Sequence, residues 1–380
     1  MRIGILTLPL HENYGGILQA YALQKVLEDM GHDTLIIDRA RTIKLSFLTK
    51  CYHYSVRVLK NILFNSKLTI RYDKEHNNSI NLMRQHTYPF LQKNMSRIEM
   101  YGGYEGLDTN KFDAIIVGSD QVWRPKYFCH APLADAYLSF AKDWDIKRIS
   151  YAASFGTDVW EYTSEQTAEC GLLLRSFDAV SVRESSAVTL CNTHFGVDAE
   201  HVLDPTLLLD VSYYTALFQM EDTPLSEGNL MCYLLDPSVE KSAFVQSVAE
   251  TFSLTPFTVN SKYEDKNAPL EDKLQPPVEI WLRGFYDAKY IITDSFHACV
   301  FSILFKKPFI VYGNKHRGMA RFHSLLAMFG LNDRLVTTLD EASAIISRPI
   351  DWDSVHTRLS EWRQKSRDFL SAALVNVRQS

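Results

Sequence analysis

Short β-branched apolar runs alternate with helix-length segments along most of this chain, and that alternation constrains its fold more than any other feature. Arg2 to Leu8 and Thr34 to Asp38 read as strands, and between them Gly16 to Met30 carries apolar residues at helical spacing before stopping at Gly31. This is a βαβ unit. Ala114–Val117, Ile149–Ala153 and Ala179–Val182 continue the series, which favours a buried parallel sheet with helices on both faces. A second series runs through Leu230–Leu235, Tyr290–Thr293 and Phe309–Tyr312, alternating with helical stretches at Ser238–Phe252 and Met319–Phe329. The expected class is α/β, with two Rossmann-like domains facing a cleft.

At 380 residues, 46% of them hydrophobic, the chain can fill two cores. Asp210 to Asn229, with Pro224, Ser226 and Gly228, reads as a connection, giving an N-terminal domain over 1–210 and a second over 211–353. The last segment, 354–379, is expected to form an amphipathic helix, with Leu359, Trp362, Phe369 and Leu370 for one face, that rejoins the first domain. An insertion over 39–110 interrupts that domain. Its opening part, Arg39 to Arg71, contains Arg41, Lys44, Lys50, Arg57, Lys60 and Lys67 but no Asp or Glu, interleaved with Phe47, Leu48, Tyr52, Tyr54, Leu59 and Phe64. Such a segment either docks on anionic lipid, here the inner membrane, or is a solvated helical excursion.

A net charge of −5 gives no field that would attract nucleic acid. The six cysteines, Cys51, Cys129, Cys170, Cys191, Cys232 and Cys299, include no C-x-x-C pair, against a structural zinc site or disulfide framework. No apolar run approaches the roughly 20 residues that span a bilayer, and the opening residues read as a strand rather than a secretory core. A cytoplasmic location follows, with peripheral membrane contact through the basic segment.

Four constellations carry chemistry. His11-Glu12-Asn13-Tyr14-Gly15-Gly16-Ile17-Leu18-Gln19 follows the first strand and opens a helix; its glycines permit close backbone approach, and helix-start N–H groups can hold an anion or sugar oxygens. It also suits a plain tight turn. Gly118-Ser119-Asp120-Gln121-Val122-Trp123 lies at the carboxyl end of a strand, where ligands of open α/β sheets sit; Asp120 is a candidate base and Trp123 a candidate sugar platform, unless Ser119 and Asp120 only cap a helix. Arg183 and Glu184 end another strand, and Arg183 offers a planar fork for phosphate or carboxylate, or a link between domains. Thr293-Asp294-Ser295-Phe296-His297 places His297 in the first turn of a helix beside unpaired N–H donors, with Lys315, His316 and Arg317 in the loop after the next strand.

Together these stretches, from Asn13-Tyr14-Gly15-Gly16 to Arg321, resemble the polysaccharide pyruvyltransferase family. The resemblance implies a fold similar to the GT-B glycosyltransferases, with phosphoenolpyruvate as co-substrate, no cofactor and no metal. It implies donor contacts from Arg183 and His297 with a basic residue of the following loop, for which Lys315 and then Arg317 are nominated; Ser295 and Arg321 are further donor-binding candidates, Lys315 and Asp120 join Arg183 and His297 as candidates for the chemistry, and Asp120 or Glu184 is the candidate base. The acceptor, a sugar of a bacterial surface polysaccharide or its lipid-linked precursor, is expected at Asn13, Tyr14, Gly15, Gly16, Gln19, Ser119, Asp120 and Trp123. Several members carry Arg-Leu before the histidine where this chain has Ser295-Phe296, so Lys315, Arg317 or Arg321 must supply the missing cation. The rival readings are a metal-independent nucleotide-sugar glycosyltransferase and a non-catalytic sugar-binding protein on the same scaffold.

Overall fold

The computed structural model describes residues 1–128, 131–262, 267–313 and 318–375. Two parallel sheets organise the chain. The first holds β1 (Arg2–Leu6), β2 (Asp33–Arg39), β3 (Arg97–Met100), β4 (Ala114–Val117), β5 (Lys147–Ala153), β6 (Ala179–Val182) and β7 (Glu200–His201), in the order β3-β2-β1-β4-β5-β6-β7. The second holds β8 (Leu230–Tyr233), β9 (Pro256–Phe257), β10 (Tyr290–Thr293), β11 (Phe309–Tyr312) and β12 (Leu335–Val336), in the order β12-β11-β10-β8-β9.

Each order reverses once, between β1 and β4 in the first sheet and between β8 and β10 in the second. At those points the strands end in register, Leu6 beside Val117 and Tyr233 beside Thr293. The loops that follow must therefore diverge to opposite faces, opening a crevice at the carboxyl edge of each sheet.

Strand alternation divides the core. Ile36, Ile116, Ile291 and Val311 join an apolar cluster shared by both domains, while their neighbours Ile37, Ile115, Ile292 and Ile310 fill clusters on the outer faces. The apolar content thus fills three regions, one common to both domains. That shared cluster fixes how the two crevices face each other.

Three expectations change. The Asp210–Asn229 connection contains a helix, Val211–Met220, because Asp210 caps it and Tyr214, Leu217 and Phe218 bury one face. The insertion comprises helices Phe47–Phe64, Tyr72–Met83 and Tyr88–Asn94, and the chain has already rejoined the sheet as edge strand β3 at Arg97. Helix Trp352–Val375 begins two residues early and lies across the first domain, where Lys147 Nζ donates to Ala373 O at 3.1 Å and the Tyr151 and Phe369 rings sit 6.3 Å apart. The same helix grips the segment after β7. Ser366 Oγ accepts from Leu203 N at 3.0 Å, Arg363 donates to Leu207 O and Leu209 O at 2.6 Å each, and Arg367 donates to Leu208 O at 2.9 Å.

Among the described residues, Cys51, Cys170, Cys191, Cys232 and Cys299 form no disulfide. No described helix is long and apolar enough to cross a membrane.

Candidate active site

The two crevices meet in one cavity of about 490 Å³. The segments after β1 and β4 give it Asn13, Gly15, Asp120 and Gln121; those after β8 and β10 give it Leu235, Asp236, Asp294, Ser295, Phe296 and His297; Arg124, Lys126, Tyr127, Tyr233, Trp281 and Arg321 complete the wall.

The β1 loop is shaped by its caps. Asn13 Oδ1 accepts from Gly16 N at 3.2 Å and starts helix Tyr14–Asp29. A Cβ on Gly15 would overlap the His297 imidazole at Nδ1 and Cγ, so glycine here lets a helix of one domain close against the histidine of the other. Gly16 sits beside Asp120, whose Oδ2 would lie 3.5 Å from a Cβ there.

Four residues expected to bind acceptor instead build the frame. Tyr14 Oη donates to Pro276 O at 2.7 Å and its ring lies 5.3 Å from Trp281, which makes it a latch between domains. Gln19 Nε2 donates to Thr7 Oγ1 and its Oε1 accepts from Ser119 N, both at 2.8 Å, while Ser119 Oγ donates to Ala152 O at 2.8 Å. Both side chains are fully buried. Trp123 is buried too, stacked 5.2 Å from Tyr137 with its Nε1 donating to Ala136 O, because the chain after Asp120 turns inward toward the outer core rather than along the crevice. The braces on Ser119 hold Asp120 at φ 64, a left-handed conformation whose cost of about 1–3 kcal/mol must be met by the surrounding structure.

Arg183 lies behind the cavity wall rather than in it. Its Nη1 donates to Asp204 Oδ2 at 2.6 Å, its Nη2 is 3.5 Å from Asp120 Oδ1, and its Nε is 3.7 Å from Glu184 Oε1. Burial disfavours its charge, but Asp204, Glu184 and Asp120 more than compensate and raise its pKa. Glu184 also lies outside the wall; burial raises its pKa, opposed by Arg183 and by a hydrogen bond from Ser154 Oγ. Of the two carboxylates considered as base, Asp120 reaches the cavity.

Asp204 is the residue the sequence reading missed. It is buried, accepts from Thr206 N at 3.0 Å and Thr206 Oγ1 at 2.6 Å, and lies 3.6 Å from His297 Nε2. Burial would raise its pKa, but the nearby His297 ring and the charge of Arg183 outweigh that and hold it well below the ordinary carboxylate range. Its sequence signal, Asp before Pro205, marks a turn and nothing more.

Ser295 caps helix Phe296–Leu304, accepting from Ala298 N at 3.5 Å, so His297 occupies the second helical position, near the positive end of the helix dipole. Two guanidinium groups lie near the Phe296 ring, Arg183 at 4.5 Å and Arg321 at 5.4 Å from its centre. Burial, then the like charge of Arg183, pull the Arg321 pKa down to about 10 against the influence of Glu184 and Asp120. Lys315 and Arg317 lie outside the described residues. Among the described residues, no group of three or more His, Cys, Asp or Glu side chains could hold a metal ion.

The polysaccharide pyruvyl transferase family model matches residues 13–316. Among solved structures, the UDP-GlcNAc 2-epimerase from Neisseria meningitidis bound to UDP-GlcNAc is similar, with TM-score 0.52 and 9% identity over 99% of this chain and 100% of that one. The S. aureus MnaA–UDP co-structure aligns with TM-score 0.50 and 11% identity over 100% of this chain and 98% of that one. At such identities the likeness is one of fold, the two-domain Rossmann-like architecture of GT-B-type enzymes. No curated protein matches the chain significantly.

Proposed function

The chain belongs to the polysaccharide pyruvyl transferase family, and on that premise we propose that it moves the enolpyruvyl group of phosphoenolpyruvate onto two hydroxyls of one sugar of a bacterial surface polysaccharide or its lipid-linked precursor, forming a cyclic ketal and releasing phosphate. One observation supports this reading above others: His297 and Arg321 from the second domain and Asp120 from the first line a single cavity between the two sheet reversals.

Phosphoenolpyruvate carries a phosphate and a carboxylate, and positive charge grows at C2 as C3 takes a proton. Arg321 and the amino end of helix Phe296–Leu304 would receive the anionic groups. Arg321, stacked on Phe296, supplies the cation that this chain lacks immediately before His297. Lys126 adds charge to the same wall, and family resemblance adds Lys315 and Arg317. His297 delivers the proton to C3 while a sugar hydroxyl bonds to C2 and yields its own proton to Asp120. The C2–O bond to phosphate then breaks, and a second hydroxyl attacks C2 and closes the ring. Of the two hydroxyl protons, one balances the proton given to C3 and the other leaves with phosphate. Tyr127, the exposed aromatic residue of the wall, offers an apolar face to the sugar. Arg183 acts from behind the wall, holding Asp120 and Asp204.

The test is mass spectrometry of glycan acceptors, free and lipid-linked, after incubation with phosphoenolpyruvate. A gain of one pyruvate less water, matched by phosphate release, is expected. Thermal stabilisation by uridine nucleotides but not by phosphoenolpyruvate would replace this reading with glycosyl transfer.

A further inference from the structure

Helix Phe47–Phe64 presents its faces in reverse of an ordinary surface helix. Its polar side grips the protein: Tyr54 Oη donates to Asp73 Oδ1 at 2.6 Å, Arg57 Nη1 to Thr69 O at 3.1 Å, and Asn61 Nδ2 to Leu68 O at 2.8 Å. The Arg57 guanidinium also lies 3.9 Å from the centre of the Tyr72 ring. At the helical repeat of about 100° per residue, Phe47, Leu48, Tyr52, Leu59, Ile62 and Leu63 share a continuous arc of about 160° beside that grip. These six are 55–79% exposed, and no residue of the helix is buried. The geometry is not that of a frayed end, since Ser46 caps the helix by accepting from Thr49 N at 3.2 Å.

We propose that this helix is a docking surface for a bilayer bearing anionic headgroups. Charge selects the occupant. Arg39 to Arg71 contains eight Lys and Arg and no Asp or Glu; Arg39, Arg41 and Lys50 face Asp135, Glu12 and Asp73, while Lys60 and Lys67 are exposed on the side of the apolar residues. A second copy of the chain seated on this face would bring two such segments together, like charge against like. A lipid surface accepts the apolar arc at the acyl boundary and pairs the cations with headgroups. The helix also leaves from the carboxyl edge of β2, beside β1, and Arg41 in the connection lies 3.4 Å from Glu12, the neighbour of cavity-lining Asn13. Docking therefore turns the cleft edge of the first sheet toward the bilayer.

Flotation with phosphatidylcholine vesicles, with and without phosphatidylglycerol, tests the proposal and requires no turnover, so its outcome is separate from that of the cleft chemistry. Binding is expected on the anionic vesicles and should weaken with added salt. Leu59→Glu with Ile62→Glu should reduce partitioning by about tenfold or more at unchanged melting temperature. Lys60→Glu with Lys67→Glu should weaken binding to the anionic vesicles specifically. Absence of flotation, or equal flotation of all variants, overturns the proposal. So does a dimer in sedimentation velocity that Leu59→Glu with Ile62→Glu dissolves, which would assign the face to a second copy.

Discussion

Arg183 Nη1 and His297 Nε2 approach the same atom, Oδ2 of Asp204, at 2.6 and 3.6 Å. One residue comes from the end of β6 and the other from the helix after β10, so a single buried carboxylate joins the two domains behind the cavity. Three of the basic residues considered for the cleft thus take different places. His297 and Arg321 face the cavity, and Arg183 fixes the carboxylates around it.

Replacing His297 with Ala should lower phosphate release by about 10²–10⁴-fold, the usual span for a lost acid–base group. Arg321→Gln should act differently, raising KM for phosphoenolpyruvate by roughly 10–100-fold, as for a lost charged hydrogen bond. Steady-state kinetics with varied phosphoenolpyruvate separates the two; a larger effect of Arg321→Gln on kcat than on KM would count against its binding role.

Gly15→Ala should both destabilise the protein and inactivate it, because the added methyl enters the space of the His297 ring. In a His297→Ala background that conflict disappears. The stability cost of Gly15→Ala should therefore fall by at least about 1 kcal/mol in the double variant, a coupling readable from urea unfolding of the four proteins.

Asp204 should shape the acid limb of stability. Its folded pKa lies below the unfolded value of about 4, so its contribution is present above that pH and is lost as pH falls toward the lower folded value. Asp204→Asn should destabilise the protein at pH 7 by about 3–5 kcal/mol, since Arg183 loses its nearest counter-charge. The difference from wild type should shrink below about pH 4. Unfolding midpoints that run parallel from pH 7 to 3 would contradict this.

His201 governs a higher window. Its Nε2 lies 3.1 Å from both Arg183 O and Ser324 Oγ, which joins the domains, and burial chiefly, with Lys365, lowers its pKa to about 4 despite the contact with Arg183 O. The neutral ring is favoured in the fold, so stability is full above the ordinary histidine value of about 6.5 and declines as pH falls through the window down to about 4. His201→Gln keeps a donor and removes the titration, so thermal melts at pH 7 and pH 5 should converge relative to wild type.

The interior strands were legible because both their faces are buried, which makes β1, β2, β4, β5, β10 and β11 read as apolar runs. Two-residue β7, β9 and β12 and the edge strand β3, Arg-Ile-Glu-Met, carry no such pattern; their neighbours impose them. At the site, strand-end position pointed to Asn13, Asp120, Ser295 and His297, all of which line the cavity. The same rule failed for Trp123, Gln19 and Ser119, because position along the sequence does not distinguish a side chain entering the crevice from one bracing it. Tyr233, Asp236 and Trp281 joined the wall only when the domains were brought face to face.

The grip of the final helix on residues 203–209 has a temporal consequence. Backbone groups on both sides of Asp204 find partners in Arg363, Ser366 and Arg367, which are translated more than 150 residues after it. The anchor beneath His297 is therefore completed only by a helix translated after both sheets, and a nascent chain that has not yet added that helix has both sheets but an unfinished centre.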